Sequence, residues 1–313
     1  IMLHPHTWYS DKGIKFIADD PAIKIDRTRK TVHTEKGETV DYDRLIIATG
    51  SKPFIPPVQG VDLKGVISFR DIYDVNTMIK YCETKKNAVV IGGGLLGLEA
   101  AYGLKQRGMN VTVLHLMDRI MERQLDGRAS RMLRQSIEEK GINIITEANT
   151  EALIGKDGHV NQVRLKDGTV LDADLVVFAV GIRPNIALAQ SAGLRCNRGI
   201  LVNDTMQTFD PSIYAVGECI EHRNQTFGLV EPLWGQAFIC ATHLAEHGSL
   251  TFKSPTVPTQ LKVSGVDVFS AGNIDPADDY EDIILNDEKR QIYKRIIIQK
   301  DKVIGAVLFG DTE

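Results

Sequence analysis

One stretch, Asn87 to His115, constrains the fold more than any other part of the chain. Ala88 to Ile91 is an apolar run of strand length. Gly92-Gly93-Gly94-Leu95-Leu96-Gly97 is a glycine turn, Leu98 to Arg107 has helical spacing, and Val111 to Leu114 is a second apolar run. Gly108 stops the helix. The sequence therefore predicts a βαβ unit carrying G-x-G-x-x-G in Gly92, Gly94 and Gly97. In such a unit the first glycine permits the tight turn, the second lets backbone approach a pyrophosphate, and the third lets the helix pack closely on the sheet. The unpaired N–H groups of the helix N-terminus face the phosphates. Set between a strand and a helix, the fingerprint points to dinucleotide binding; the alternative is a tight strand-to-helix turn with no ligand.

A second pattern occurs twice. Gln162 to Leu171 is a hairpin with Asp167-Gly168 at its turn, followed by the strand Asp174 to Gly181 and then Ile182-Arg183-Pro184. Val32 to Val40 is likewise a hairpin, followed by Asp43 to Gly50 and then Ser51-Lys52-Pro53. Two copies of hairpin, Asp, apolar strand, Gly, two residues and Pro imply two copies of one nucleotide-binding domain. Gly92 precedes Gly181 by 89 residues, and the same distance back from Gly50 falls about 40 residues before residue 1. The repeat thus predicts that the first copy's glycine loop lies ahead of this chain, whose first residue is not Met.

With 313 residues, 43% hydrophobic, 25% charged and a net charge of -4, the chain has room for two or more cores and no basic excess for nucleic acid or an anionic membrane. Its longest apolar runs, such as Leu175 to Val180, fall far short of the roughly 20 residues of a membrane helix. The N-terminal residues lack the pattern of a signal peptide. Cys82, Cys196, Cys219 and Cys240 are separated by 114, 23 and 21 residues, which matches neither a disulfide framework nor a metal-binding or CxxC spacing. A reducing, cytoplasmic setting and a small-molecule function are expected.

These motifs resemble the two-dinucleotide-binding-domain flavoproteins of the pyridine nucleotide-disulfide oxidoreductase superfamily. Leu45-Ile46-Ile47-Ala48-Thr49-Gly50-Ser51-x-Pro53 looks like the motif that closes their FAD domain. Thr208 to Glu218 looks like their second FAD motif, in which the final acid, here Glu218 instead of the usual Asp, holds the ribityl chain. The closest likeness is to the flavoprotein part of the large subunit of assimilatory NAD(P)H nitrite reductases. It is carried by Trp8-Tyr9, His115 to Arg119, Met121 to Asp126, Gly217-Glu218-Cys219 and Leu261 to Asp267. The resemblance implies an α/β chain with two Rossmann-like domains. These would be an FAD domain (1–77, incomplete at its N-terminus, and 200–252), an inserted NAD(P) domain (78–199) and a partial α+β C-terminal interface domain (253–313). It implies FAD and NAD(P)H as cofactors, with iron–sulfur and sirohaem groups only in domains outside this chain. The partners would be those domains or a small electron-transfer protein. The alternatives are a stand-alone NADH-dependent rubredoxin or ferredoxin reductase, a thiol-dependent NADH oxidase, and a non-catalytic truncated nucleotide-binding fragment.

By resemblance, Ala48, Thr49, Gly50, Gly217, Glu218 and Trp234 serve the flavin, and Gly92, Gly94, Leu95, Leu96 and Gly97 the NAD(P) pyrophosphate. Glu99 lies near the nicotinamide, its plain reading being a first-turn acid favoured by the helix dipole, and Gly181 lets the cofactor approach closely. No residue is firmly assigned a catalytic role. His115 holds the strand-end position, where an acid would select NADH and a basic residue would accommodate NADPH. With Asp118, Arg119 and Arg123 nearby the choice stays open, NADH being preferred. Pro232 to Ala237 opens a helix from Gln236 to Glu246, and a core role for Trp234 competes with the flavin role. His4 and His6 suggest no metal pair, Met117 and Met121 pack a helix face, and Asp275 to Asp282 reads as a solvated acidic turn. The hairpin of Tyr293 to Ile298 and Val303 to Phe309 belongs to the interface domain, which contributes to homodimer contacts or to docking the electron acceptor.

Overall fold

The computed structural model describes residues 4–254, 258–277 and 279–312, and leaves out the side chains of Leu261 and Val263. The expectations that touch residues 1–3, Asp278 and those two side chains lie outside what is described. Two compact units form. One contains residues 1–51 and 183–254, the other residues 52–182 and 255–313.

The second unit is built on a five-stranded parallel sheet. Its strands lie in the order Val66–Ser68, Leu175–Phe178, Asn87–Ile91, Asn110–Leu114, Ile142–Ile145. Strands covered on both faces read as continuous apolar runs, and Leu175–Phe178 is buried at every position. Leu98, Ala101 and Leu104 of the helix Leu95–Gln106, and Leu133 and Ile137 of the helix Gly127–Glu138, close one face over Val90, Val111 and Val113. On the other face the antiparallel strands Thr150–Lys156, His159–Leu165 and Val170–Asp172 pack Leu153, Val163 and Leu165 against Val89, Leu114 and Val176. By its contacts this unit takes in residues 52–182 together with 255–313, where the inserted domain was expected over 78–199. The three-residue strand Val66–Ser68 is too short to show periodicity, and Leu194 belongs to the other unit's core.

Residues beyond 258 form a five-stranded antiparallel sheet, in the order Thr259–Val263, Val266–Gly272, Lys302–Phe309, Ile292–Gln299, Glu281–Asp287. The expected α+β domain has no helix of its own among the described residues 258–312. Its helical layer is borrowed: Val268, Tyr293, Ile297, Val307 and Phe309 share one core with the helices at Leu98 and Leu133. A polar latch fixes this contact. Asp126 caps the helix Gly127–Glu138 with Oδ1, which accepts from Arg128 N at 3.1 Å and Ala129 N at 2.9 Å. Its Oδ2 accepts from Tyr293 Oη at 2.7 Å and from an Arg295 Nη at 3.3 Å. Arg295 also donates to Asp282 Oδ1 at 2.9 Å, so Asp282 is a latch residue within the run expected to be a solvated turn.

The first unit has smaller sheets. Ala22–Asp26, Thr31–Thr34 and Thr39–Asp41 form an antiparallel sheet, and Leu45–Ile47 pairs in parallel with Ile213–Ala215. Ile47, Ile213, Ala215, Cys219 and Ile220 form its core with Ile239 and Cys240 of the helix Val230–Leu244. That helix starts six residues before the expected Gln236. Pro232 sits in its first turn, where a missing N–H breaks no intrahelical bond.

Candidate functional site

The fingerprint loop leaves the C-terminal end of Asn87–Ile91, next to the ends of Leu175–Phe178 and Asn110–Leu114. Its glycines differ in what surrounds them. Gly92 lies at φ +123°, and a Cβ there would meet Ala179 O at 2.3 Å; at Gly97 it would meet Gly92 O at 1.8 Å. A Cβ on Gly94 meets nothing within 4 Å. Two glycines are thus demanded by the protein's own packing, and the third faces open space on the side a pyrophosphate would occupy. The helix begins at Leu95, three residues before the expected Leu98, with Gly94 as N-cap and no capping side chain. The helices at Ile72 and Gly127 are capped by Asp71 and Asp126. The first-turn N–H groups at Leu95, Leu96 and Gly97 therefore have no side-chain acceptor, and an anion supplies one. This cradle fits a dinucleotide pyrophosphate.

The surrounding residues hold the loop in shape. Gly93 N donates to His115 Nδ1 at 3.0 Å, and His115 Nε2 faces Glu122 Oε2 at 3.1 Å. Met121, buried at φ +52°, donates its N–H to Gly93 O at 3.0 Å. Met121 is thus a turn residue under the loop, and Met117 is 48% exposed, so the two do not pack one helix face. Glu99, half-buried, accepts from Ser264 N at 2.7 Å, which ties the fingerprint helix to the turn between Thr259–Val263 and Val266–Gly272. Gly181 lies at φ +99° with open space beside it.

The flavin residues assigned by sequence lie in the first unit: Ala48, Thr49, Gly50, Gly217 and Glu218 follow the ends of its parallel pair, and Trp234 lies on the helix Val230–Leu244. Thr49 Oγ1 donates to Asn185 O at 2.7 Å, and Asn185 N to Gly50 O at 2.9 Å. Ser51 Oγ donates to Glu218 Oε2 at 2.8 Å, so that carboxylate is no free turn residue. Ala48 is exposed beside them, and Gly50 and Gly217 have positive φ with open space at the Cβ position. Gln236 is fully buried; its Oε1 accepts from Gly217 N at 2.8 Å, while Nε2 is buried without a hydrogen-bond partner. An orphaned donor beside the open Gly217 suits a polar group carried by FAD. Trp234 is 61% exposed, which rules out the core role.

Sequence reasoning missed Asn185 altogether, and it quoted Ser51, Met121 and Glu122 only as parts of longer motifs, without the contacts that give them a role. All four thiols are pushed upward by burial, Cys240 to about 11, so none is a ready thiolate nucleophile. No helix among the described residues is long and apolar enough to cross a membrane.

Residues 6–237 match the family model for pyridine nucleotide-disulphide oxidoreductases, and residues 258–313 that for the rubredoxin NAD+ reductase C-terminal domain. The chain is 48% identical over 312 residues to a nitrite reductase [NAD(P)H] of Bacillus subtilis, covering 100% of this chain and 39% of that protein. It is 43% identical to an assimilatory nitrate reductase electron transfer subunit of the same organism, covering 100% of this chain and 40% of that protein. The chain thus spans about two fifths of the length of these relatives. Among solved structures, a ferredoxin reductase from Rhodopseudomonas palustris superposes with a TM-score of 0.89 at 26% identity, covering 99% of this chain and 77% of that one. An α/β chain with these motifs, matched over most of its length, belongs to the pyridine nucleotide-disulphide oxidoreductase family, whose members are NAD(P)H-dependent flavoprotein oxidoreductases.

Proposed function

We propose that this chain is the NAD(P)H-oxidising, flavin-carrying portion of a nitrite reductase of the NAD(P)H type, passing electrons to an iron–sulfur acceptor. The observation that carries the redox part is the fingerprint loop. Gly92 and Gly97 are filled by protein and Gly94 is open toward an uncapped helix N-terminus. The nitrite reductase assignment rests on 48% identity across the whole chain.

Gly94 and the N–H groups of Leu95, Leu96 and Gly97 take the NAD(P)H pyrophosphate, and Gly181 admits the nicotinamide half. Glu99 has one oxygen fixed by Ser264 and so offers the other in a set direction beside the nicotinamide. Ala48, Thr49 and Gly50 with Gly217 and Glu218 hold FAD. Glu218, oriented by Ser51, would accept a hydroxyl hydrogen bond from the cofactor when it is bound, and the orphaned Gln236 Nε2 would donate to it. When bound, the flavin supplies the step that turns a two-electron hydride into single electrons; the protein supplies position. Iron–sulfur and sirohaem groups belong to other domains of the full protein. The reduced cysteines suit the cytoplasm.

A second reading has an observation of its own. The match of residues 258–313 to a rubredoxin NAD+ reductase domain favours a small electron-transfer protein as acceptor. NADH-dependent reduction of nitrite and of a rubredoxin or ferredoxin, assayed on the full-length protein, separates the two. Nitrite turnover without an added carrier supports the first, and reduction of the carrier alone supports the second.

A further inference from the structure

The strand-end residue that normally chooses between NADH and NADPH is here a histidine turned inward. His115 is 8% exposed and both its nitrogens are committed. Because Nδ1 accepts the Gly93 N–H, the ring proton sits on Nε2 and is donated to Glu122. A carboxylate is therefore held two hydrogen bonds from the middle of the phosphate loop, the region in which a strand-end acid normally meets the adenosine ribose.

The backbone fixes Glu122 as firmly. Met121 N–H is bonded to Gly93 O, and a Cβ on Gly93 would meet Ile120 Cγ2 at 2.9 Å and His115 Cγ at 2.8 Å. The segment 120–122 is thus packed against the loop. The Glu122 side chain keeps 26% exposure, and its Oε1 faces the solvated Arg123 Nε at 4.0 Å. Its charge is not neutralised by so exposed a partner. Arg119, the other cation of this loop, is drawn toward Asp275 at 3.5 Å and Asp118 at 3.8 Å.

We propose that Glu122, positioned by His115, is the specificity-determining residue of the NAD(P) site: it accepts a hydrogen bond from the ribose 2′-OH and repels a 2′-phosphate, so the protein prefers NADH. The inference rests on the dinucleotide-binding reading of the fingerprint loop. A ribose hydroxyl donates to a carboxylate, whereas a phosphate meets it as a like charge.

The test is calorimetric titration of the full-length flavoprotein with NAD+ and NADP+, which gives binding without turnover. The wild type should bind NAD+ at least about tenfold more tightly. Glu122→Gln should shrink that ratio by about tenfold, the fold-change of one charge-assisted hydrogen bond. His115→Leu should move it the same way. His115→Gln, whose amide can accept from Gly93 and donate to Glu122, should keep it. Asp118→Asn, an exposed carboxylate on the same loop, should change it by less than about threefold. Equal weakening of both nucleotides by Glu122→Gln would mark a merely structural residue and overturn the proposal, as would a wild-type preference for NADP+. Failure of the wild type to bind either nucleotide would overturn the dinucleotide-binding reading itself.

Discussion

The repeated strand motif has two different fates. In its second copy the strand Leu175–Phe178 lies between Val66–Ser68 and Asn87–Ile91 and is buried throughout. In its first copy the strand Leu45–Ile47 pairs, among the described residues, with Ile213–Ala215 alone, and Ile46 is 47% exposed. The sequences are alike; the neighbours differ. In the second copy one neighbour is the strand that carries the glycine fingerprint, and in the first copy no such strand is present among the described residues. The same kind of apolar strand is buried throughout where the fingerprint strand lies beside it and is partly exposed where its described partner is Ile213–Ala215.

The comparison can be broken most severely at the fingerprint. Gly97→Val places carbon where Gly92 O stands 1.8 Å from even a Cβ. It should abolish NADH binding and lower the melting temperature sharply, as overpacking against backbone that cannot give way. Gly50→Ala in the first copy meets no atom within 4 Å and should bring only the strain of its φ of +64°, about 1 kcal/mol. Equal losses in denaturant titrations would refute the difference in packing.

Strand truncations come next. Leu175→Ala removes a fully buried side chain and should destabilise by about 2–5 kcal/mol, whereas Ile46→Ala should cost less than about 1 kcal/mol in this chain. In a longer protein carrying a strand–glycine-turn–helix unit ahead of residue 1, the cost of Ile46→Ala should rise toward that of Leu175→Ala. If it does not, the expected first-copy fingerprint strand does not pair there.

Gly94→Ala sharpens the same contrast inside the loop. With open space at its Cβ it should leave thermal stability within about 0.5 kcal/mol yet weaken NADH binding by about tenfold, because the methyl enters the space the pyrophosphate needs. A matched loss of stability and binding would mean that Gly94 serves packing alone.

The smallest effect is a pH dependence confined to the first unit. Hydrogen bonds from Arg223 and His222 lower the Asp204 carboxyl to about 2. A depressed carboxylate contributes stability above its unfolded value of about 3.9 and loses it as pH falls through the folded value. Asp204→Asn should therefore flatten the acid side of the stability profile between about pH 4 and 2. Because Asp204 is 36% exposed, solvent screening keeps the change small. An unaltered profile would remove Asp204 from the account.

The parallel unit was legible because its signals are local: apolar runs, three glycines in fixed spacing and an Asp-Gly hairpin turn. The strand at Val66 was not, since three residues carry no periodicity, and the helix start at Leu95 was obscured because Gly97 reads as turn while lying inside the helix. The C-terminal residues showed their hairpins but not their partner. The shared core and the contacts of Asp126 with Tyr293 and Arg295, 167 and 169 residues apart, show that the sheet borrows helices from far earlier in the chain. The candidate site followed the same rule. Backbone-shaped glycines were found from spacing, while the roles of Ser51, Gln236 and Glu122 depend on side-chain contacts with Glu218, Gly217 and His115 that spacing alone does not show.

Transfer of hydride from a nicotinamide dinucleotide onto a bound flavin is read by anaerobic addition of NADH to the full-length protein, followed by visible absorption. Flavin bands should be present at the start, bleach with one equivalent of NADH and fail to bleach in Gly97→Val. A full-length protein that carries no flavin, or whose flavin spectrum is unchanged by NADH, would contradict this transfer.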